Sequence, residues 1–301
     1  MDTILVCPQM PSEDSFALIS REQILPGGSC ANTLVNFTFL GGQSSFAAKI
    51  GDDETGRLFR KSLIDDGVDD THLLVKKGGS SMCTYILAFD GGKHSILVNF
   101  GDSVNDLQID EISSAFFAEG DIFYGDFIAG AVTVSIANKC RELGKPVVLC
   151  LECAPSLLCK LGLKDEQITQ GLALADLIIS GREGFQELTG HSDYQKSVEE
   201  IDRRFNPAYG VVCTAGEQGA VWYNHGELLT APIFTLKEIV DSTGAGDSFL
   251  AALLYSVFCR QDQPNNALQF ASAAGALKCS VFGPRLRASA SDVLSFIQNN
   301  Y

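Results

Sequence analysis

A turn of small residues ahead of an apolar stretch, Asp241-Ser242-Thr243-Gly244-Ala245-Gly246-Asp247 followed by 248–255, carries the clearest signal in this chain. Amide groups at a helix start point outward with partial positive charge, and small residues let an anion approach them closely. A carboxylate directly after such a turn can accept a proton from a reacting hydroxyl. The combination favours phosphoryl transfer from ATP to an alcohol. The simpler alternative is an N-cap aspartate after a glycine-rich turn.

Length and composition limit the class of protein. The 301 residues fit one large α/β domain, and the net charge of −15 argues against nucleic acid and anionic membranes as partners. The apolar runs are too short to span a bilayer, and we expect no signal peptide. The ten cysteines lack paired spacing, which predicts free thiols in a reducing cytoplasm. Only four histidines are present and none lies near paired cysteines, which argues against a zinc site.

Short β-rich runs alternate with helical stretches along most of the chain. Asp53 is expected to cap a helix that carries Leu58, Phe59 and Leu63 and ends near Gly67. A second helix is expected to carry Val132, Ile136 and Cys140 on one face and to end at Gly144. Strands are predicted at 43–50, 122–124, 146–151, 177–180 and 209–214. This order predicts a parallel sheet with helices on both faces.

Two pairs of strand-like runs have no helix between their members. They are 3–9 with 16–20, and 82–89 with 94–100, the latter joined by the hairpin signal Asp90-Gly91-Gly92-Lys93. We expect a small separate β-sheet, the lid, formed by segments at approximately 3–22 and 73–104. A hinged lid is able to cover a site and exclude water. The alternative is an antiparallel edge of the main sheet.

Three segments resemble the signatures of the ribokinase-like (PfkB) family of carbohydrate kinases. Residues 27–32, before a helix that ends at Gly41-Gly42, resemble its N-terminal signature; 49–56 resemble the next segment, and 241–247 its C-terminal signature. Residues 11–15 and 276–279 are most similar to ketohexokinase-like members. The resemblance covers 1–301 as a single kinase domain. It implies a mostly parallel, twisted central sheet with helices on both faces, a β-lid through which two subunits dimerise, and the use of ATP, Mg2+ and K+.

The resemblance also implies roles for individual residues. Asp247 would be the general base, and Gly244, Ala245 and Gly246 would form the anion hole. The sugar would be bound by Asp2, Gly28, Ser29 and Asn32. The nucleotide would lie against Thr214, Gly216, Gly219, Ala274 and Gly275, although helix packing also explains the last two. Glu183 would orient Mg2+ through water, and Asp241 would help to hold a monovalent cation.

Some positions depart from the family pattern and leave alternatives open. Ser29 replaces an asparagine of ketohexokinase-like members, and Ser180 stands where many members have the asparagine of Asn-x-x-Glu. The segment after Glu152 lacks the arginine typical of phosphosugar kinases, which favours a free sugar. Two alternatives to a kinase of a free sugar stay open, namely a nucleoside kinase of the same family and a catalytically weak sugar-binding protein.

Asp2 raises a separate question about the sheet. The sugar-binding aspartate of the family follows the first core strand, so that strand is expected before residue 1. The alternative is that Asp2 is a disordered terminal residue.

Overall fold

The structure is a computed structural model that describes residues 1–89 and 94–300, so the hairpin turn predicted at Asp90–Lys93 lies outside the described residues. The strands are β1 Asp2–Val6, β2 Arg21–Leu25, β3 Ala48–Gly51, β4 Leu73–Lys76, β5 Cys83–Ala88, β6 His94–Asn99, β7 Phe123–Asp126, β8 Val147–Leu151, β9 Leu177–Gly181, β10 Val211–Thr214, β11 Ala220–Asn224 and β12 Glu227–Thr230. The helices are α1 Ser29–Phe39, α2 Glu54–Asp65, α3 Ser114–Glu119, α4 Ala131–Glu142, α5 Pro155–Lys160, α6 Asp165–Leu174, α7 Arg182–Thr189, α8 Tyr194–Phe205, α9 Ala245–Leu254, α10 Pro264–Lys278 and α11 Ala290–Asn300. Within the described ranges, no helix combines the length and apolar character that crossing a membrane requires.

The largest sheet has six strands in the order β12-β11-β10-β9-β8-β7. Strands β7 to β10 are parallel, and β11 and β12 are antiparallel additions. Helices cover both faces of a parallel sheet, so its strands have apolar sequences throughout; Val147, Leu149 and Leu151 of β8 are fully buried. The carboxyl ends of β7 to β10 lie along one edge, which is where such sheets bind ligands.

The predicted lid is a separate four-stranded sheet with the order β2-β1-β5-β6. The prediction of a strand at 16–20 is wrong, because the second lid strand begins at Arg21. Residues 16–20 have strand-like composition, but Phe16 and Leu18 are 90% and 78% exposed and have no sheet to pack against. Strand β4, which lies in the 73–104 range assigned to the lid, pairs with β3 instead.

The parallel strands of the body do not form one continuous sheet. Strands β3 and β4 make a separate two-stranded sheet, and β7 is an edge of the six-stranded one. A cavity of about 960 Å³ contacts both β3 and β7, and its lining there includes Ile50, Phe117 and Phe123. The gap between the two sheets is thus wide, apolar and bordered by two strand edges.

Candidate active site

Helix α9 begins at the turn that the sequence singled out. Gly244 is its N-cap with φ of 77°, and a Cβ at this residue would lie 2.0 Å from the carbonyl oxygen of Pro284. Only glycine is therefore compatible with this turn. A Cβ at Gly246 would meet no atom within 4 Å, so there is open space beside the first amide groups of the helix. The first amides of a helix have no acceptor inside it, and here that of Ala245 donates to the carbonyl of Ser242 at 3.1 Å. Gly244 and Gly246 line the cavity in which Asp247 lies.

Two residues of helix α1 hold the Asp247 carboxylate. Ser29 Oγ is 2.7 Å from Asp247 Oδ1, and Asn32 donates from Nδ2 to Oδ2 at 2.9 Å. Burial raises the pKa of Asp247, whereas the hydrogen bonds from Ser29 and Asn32 act in the opposite direction. Gly28 caps α1 with φ of 94° and lines the same cavity. The structure thus brings Gly28, Ser29 and Asn32 together with Asp247.

Asp2 reaches this cavity from the lid and is an ordered part of strand β1. Its Oδ1 accepts a hydrogen bond from Thr84 Oγ1 at 2.8 Å. Gly27 leaves the space that Asp2 needs, since a Cβ there would lie 1.9 Å from Asp2 Oδ2. The alternative of a disordered terminal residue is therefore wrong. Asp2 and Asp247 line one cavity from the lid and the body, respectively.

Asp126 and Glu152 are two further site residues, which no sequence motif had indicated. Asp126 ends β7 and Glu152 follows β8, so both carboxyl groups lie at the edge of the sheet that faces Asp247. Burial raises the pKa of Asp126 to about 6, and burial with the charges of Asp247 and Asp126 raises the pKa of Glu152 to about 8. Their positions directly after predicted parallel strands were the signal that could have found them.

Ser29 connects two of these carboxyl groups. Its Oγ lies 2.9 Å from Glu152 Oε2 and 2.7 Å from Asp247 Oδ1. A hydroxyl carries a single hydrogen, so the second contact requires a proton on one of the carboxyl groups. Burial and the neighbouring carboxylates raise the pKa of Glu152 to about 8, and burial raises the pKa of Asp247 as well. The Glu152–Asp247 pair therefore carries one proton at neutral pH, and Ser29 bridges its two members.

A buried ionic network fixes the orientation of Asn32. Arg285 is 5% exposed and donates from Nε to Asn32 Oδ1 at 3.2 Å. Its Nη1 donates to Asp66 Oδ2 at 2.7 Å, and Arg287 donates two further hydrogen bonds to the Asp66 carboxylate. With its carbonyl oxygen bound to Arg285, the Asn32 amide presents its NH2 group to Asp247. The sequence alone did not indicate this role of Asp66 and Arg285.

Three of the residues assigned to the nucleotide, Thr214, Gly216 and Gly219, lie further along the same sheet edge and do not line the cavity of Asp247. Thr214 ends β10 in register with Gly181 of β9, and Gly216 and Gly219 have φ of 57° and 83° in the following loop. Glu183 is exposed in the first turn of α7. Arg182 of that turn donates to Gln218 in the loop at 3.3 Å, so the first turn of α7, which carries Glu183, lies beside the loop.

Ala274 and Gly275 lie in helix α10, which packs on α9. Ala274 is fully buried, and a Cβ at Gly275 would lie 3.2 Å from the carbonyl oxygen of Ala245. Close packing of the two helices therefore explains both small residues. Their assignment to an adenine pocket stays a prediction.

The oxygen atoms of Asp241 that could bind a monovalent cation already accept hydrogen bonds within the protein. Its carboxylate accepts hydrogen bonds from the amides of Thr243 and Gly283, both at 2.9 Å. Its carbonyl oxygen accepts a hydrogen bond from the ammonium group of Lys278, also at 2.9 Å. Among the described residues, no three His, Cys, Asp or Glu side chains converge as ligands for a metal ion. Because the Lys278 ammonium group lies against the carbonyl oxygens of Asp241 and Val281, the residues present do not leave a place for K+ between them.

Comparison with known proteins places the chain in a family. It is 29% identical over 294 residues to fructokinase-1 of Zea mays, a match that covers 91% of this chain and 88% of the relative. It is 26% identical over 301 residues to an ATP-dependent ribose-1-phosphate kinase of Halopiger xanaduensis, a match that covers 100% of this chain and 96% of the relative.

The fold agrees with that of a putative ribokinase II from E. coli, solved in complex with ATP and Mg2+. The TM-score is 0.82 at 19% identity, and the match covers 99% of this chain and 97% of that one. The profile described as pfkB family carbohydrate kinase matches residues 1–290. These matches and the signature segments agree: the chain belongs to the PfkB family of carbohydrate kinases.

Proposed function

We propose that the protein is an ATP-dependent kinase of a free sugar, with Asp247 as general base. The observation that carries this proposal is the position of Asp247 in the first turn of α9. There it follows the first amides of the helix and lines the same cavity as Gly246, Asp2 and Gly28. A protein that only bound sugars would not need a carboxylate at this place.

The reaction follows from this geometry. A sugar hydroxyl beside Asp247 loses its proton to the carboxylate as its oxygen forms a bond to the γ-phosphorus of ATP. The bond from that phosphorus to the bridging oxygen breaks, and ADP leaves. The amides at the start of α9, from Gly244 to Gly246, stabilise the charge on the phosphoryl oxygens. Ser29 and Asn32 hold the carboxylate in place throughout.

Glu183 is suited to Mg2+, as an exposed carboxylate next to the loop 214–219. Mg2+ is commonly held by one or two carboxylates, several waters and the phosphates of the nucleotide, which this single side chain matches. When bound with ATP, the ion neutralises charge on the phosphates. Thr214, Gly216 and Gly219 are proposed to approach the same phosphates through the backbone.

The charge of the cavity favours a free sugar over a sugar phosphate. Asp2, Asp126, Glu152 and Asp247 all line it. The phosphate group of a sugar phosphate would be repelled by those of these side chains that are ionised. The guanidinium of Arg285 is already bound to Asp66 and Asn32. Because one relative is named as a ribose-1-phosphate kinase, the phosphate esters belong in the test.

The proposal is tested by measuring ADP release with ketohexoses, aldohexoses, pentoses, nucleosides and pentose phosphates. We expect a free sugar to have the highest kcat/KM. Asp247→Asn should retain ATP binding and lose about a hundredfold or more in kcat. Asp126→Asn is the matched control: it makes the same chemical change in the same cavity and should mainly raise KM for the sugar. Turnover of Asp247→Asn within threefold of the parent would refute the base assignment, and a preferred phosphate ester or nucleoside would refute the substrate class.

We also propose a homodimer formed through the lid. Ile24, Tyr85 and Leu97 occupy one cross-strand row on the lid, and each is between 43% and 56% exposed. An apolar sheet face of this kind is typical of a protein interface. Light scattering should give a dimer mass for the parent and a monomer mass for Tyr85→Glu; a monomeric parent would exclude the proposal.

All ten cysteines are free thiols, which supports a reducing compartment such as the cytoplasm as the working location.

A further inference from the structure

An ammonium group is buried behind the turn that precedes helix α9. Lys278, at the end of α10, is fully buried. Its Nζ donates to the carbonyl oxygens of Asp241 and Val281, at 2.9 and 3.0 Å. The charge of the Asp241 carboxylate adds to the attraction. A buried lysine is costly unless its charge is paired and hydrogen-bonded, so this placement is a built feature of the fold.

The two segments that meet at this ammonium are joined by further contacts. The amide of Val240 donates to the carbonyl of Cys279 at 2.8 Å, and Gly283 donates to the Asp241 carboxylate at 2.9 Å. Gly244 then packs against the backbone of Pro284. The position of the anion-hole turn therefore depends on how 240–244 is held against 278–284.

We propose that the Lys278 ammonium group permanently occupies the place of a monovalent cation in this kinase and orders the anion-hole turn without K+. The groups around this ammonium are of the kind that bind K+, namely backbone carbonyl oxygens beside a carboxylate. An ammonium group is close to K+ in size and carries the same charge, and here it is covalently attached to α10. The chain thus has its cation built in, and its activity is independent of added K+. This inference rests on the proposed kinase function only where activity is the measurement.

The test compares the parent and Lys278→Met in potassium buffer and in tetramethylammonium buffer of equal ionic strength. The parent should have the same kcat, KM and Tm in both buffers. Lys278→Met keeps an unbranched side chain but leaves the carbonyl groups of Asp241 and Val281 without this donor, so its Tm should fall by roughly 3–10 °C in tetramethylammonium. Potassium should restore part of the loss, by about 3 °C at 100 mM for a site half-filled near roughly 5 mM. Its kcat should recover in parallel.

Lys49→Met is the matched control. Lys49 is also a buried lysine, with 9% exposure, but it binds Glu111 and Asp106 away from the turn. This variant should lose stability to the same extent in both buffers.

Potassium activation of the parent, or an increase in its Tm on adding potassium, would overturn the proposal. So would a Lys278→Met variant that folds and is indifferent to potassium. If Lys278→Met does not fold in either buffer, the proposal is tested on the parent alone, by measuring its Tm at increasing potassium concentrations. That measurement needs neither the variant nor any catalytic activity. A loss of the proposed kinase activity in every buffer would contradict the function and leave the Tm comparison intact.

Discussion

The carboxylate of Asp66 should be one of the most stabilising single groups in this protein. Arg285 Nη1 is 2.7 Å from Asp66 Oδ2, and the side chains of Arg285 and Asp66 are 2% and 7% exposed. Asp66→Ala removes the anion and leaves the Arg285 guanidinium buried without its counter-charge. Breaking one partner of a buried ion pair costs about 3–5 kcal/mol.

This cost converts into a shift of Tm. At about 2.1 cal/mol/K per residue, 301 residues have an unfolding entropy of about 0.6 kcal/mol/K. A loss of about 3–5 kcal/mol therefore lowers Tm by roughly 5–8 °C. Differential scanning calorimetry at pH 7 measures this shift directly. Because Arg285 also binds Asn32, kcat should fall as well, as the amide beside Asp247 loses its fixed orientation.

Asp65→Ala is a control at the adjacent position. Asp65 pairs with Lys61 one helical turn away, and the two side chains are 57% and 67% exposed. An exposed pair of this type contributes about 0.5 kcal/mol or less, so Tm should change by about 1 °C or less. Equal Tm shifts for Asp65→Ala and Asp66→Ala would refute the reasoning, since Asp66 is buried against two arginines and Asp65 is an exposed partner of one lysine.

Three further predictions concern the cavity. Gly246→Val should fold normally but lose most turnover, because its side chain would enter the open space beside the helix amides. Gly244→Ala, whose side chain clashes with the backbone, should instead lower Tm. Normal kinetics for Gly246→Val would contradict the anion hole. As pH rises through about 8, the Glu152–Asp247 pair loses its proton, so the contact of Ser29 with Glu152 is weakened and kcat should fall. Glu152→Gln keeps a donor beside Ser29 and should lack this basic limb, whereas an unchanged limb would exclude Glu152 as its source. We also propose that a further apolar strand fits the gap between β3 and β7. About ten residues rich in Val, Ile and Gly, added before Met1, should raise Tm and lower KM for the sugar. The same result with a polar extension of equal length would refute this proposal.

Local sequence determined the parts of this protein that depend on neighbouring residues. The stretch 241–247 predicted a glycine turn before a helix and a carboxylate in its first turn, which is what the structure contains. Asp53 was correctly predicted to cap the helix at Glu54–Asp65, since an N-cap needs only a side-chain oxygen three residues before the amide that it binds. The same local reasoning failed at 16–20, where β-forming composition had no sheet to join.

Tertiary structure alone decided which groups meet. Asp66 and Arg285 are 219 residues apart in sequence, and Ser29 and Asp247 are 218 apart. No periodicity or spacing encodes such pairs, because helix and strand patterns report only which face of an element is buried. The contact of Ser29 with Glu152 and the ammonium of Lys278 behind the turn depend on distances of about 3 Å between separate elements. Hydrogen bonds and buried charges act only over such distances, so these features exist only once the whole chain has packed.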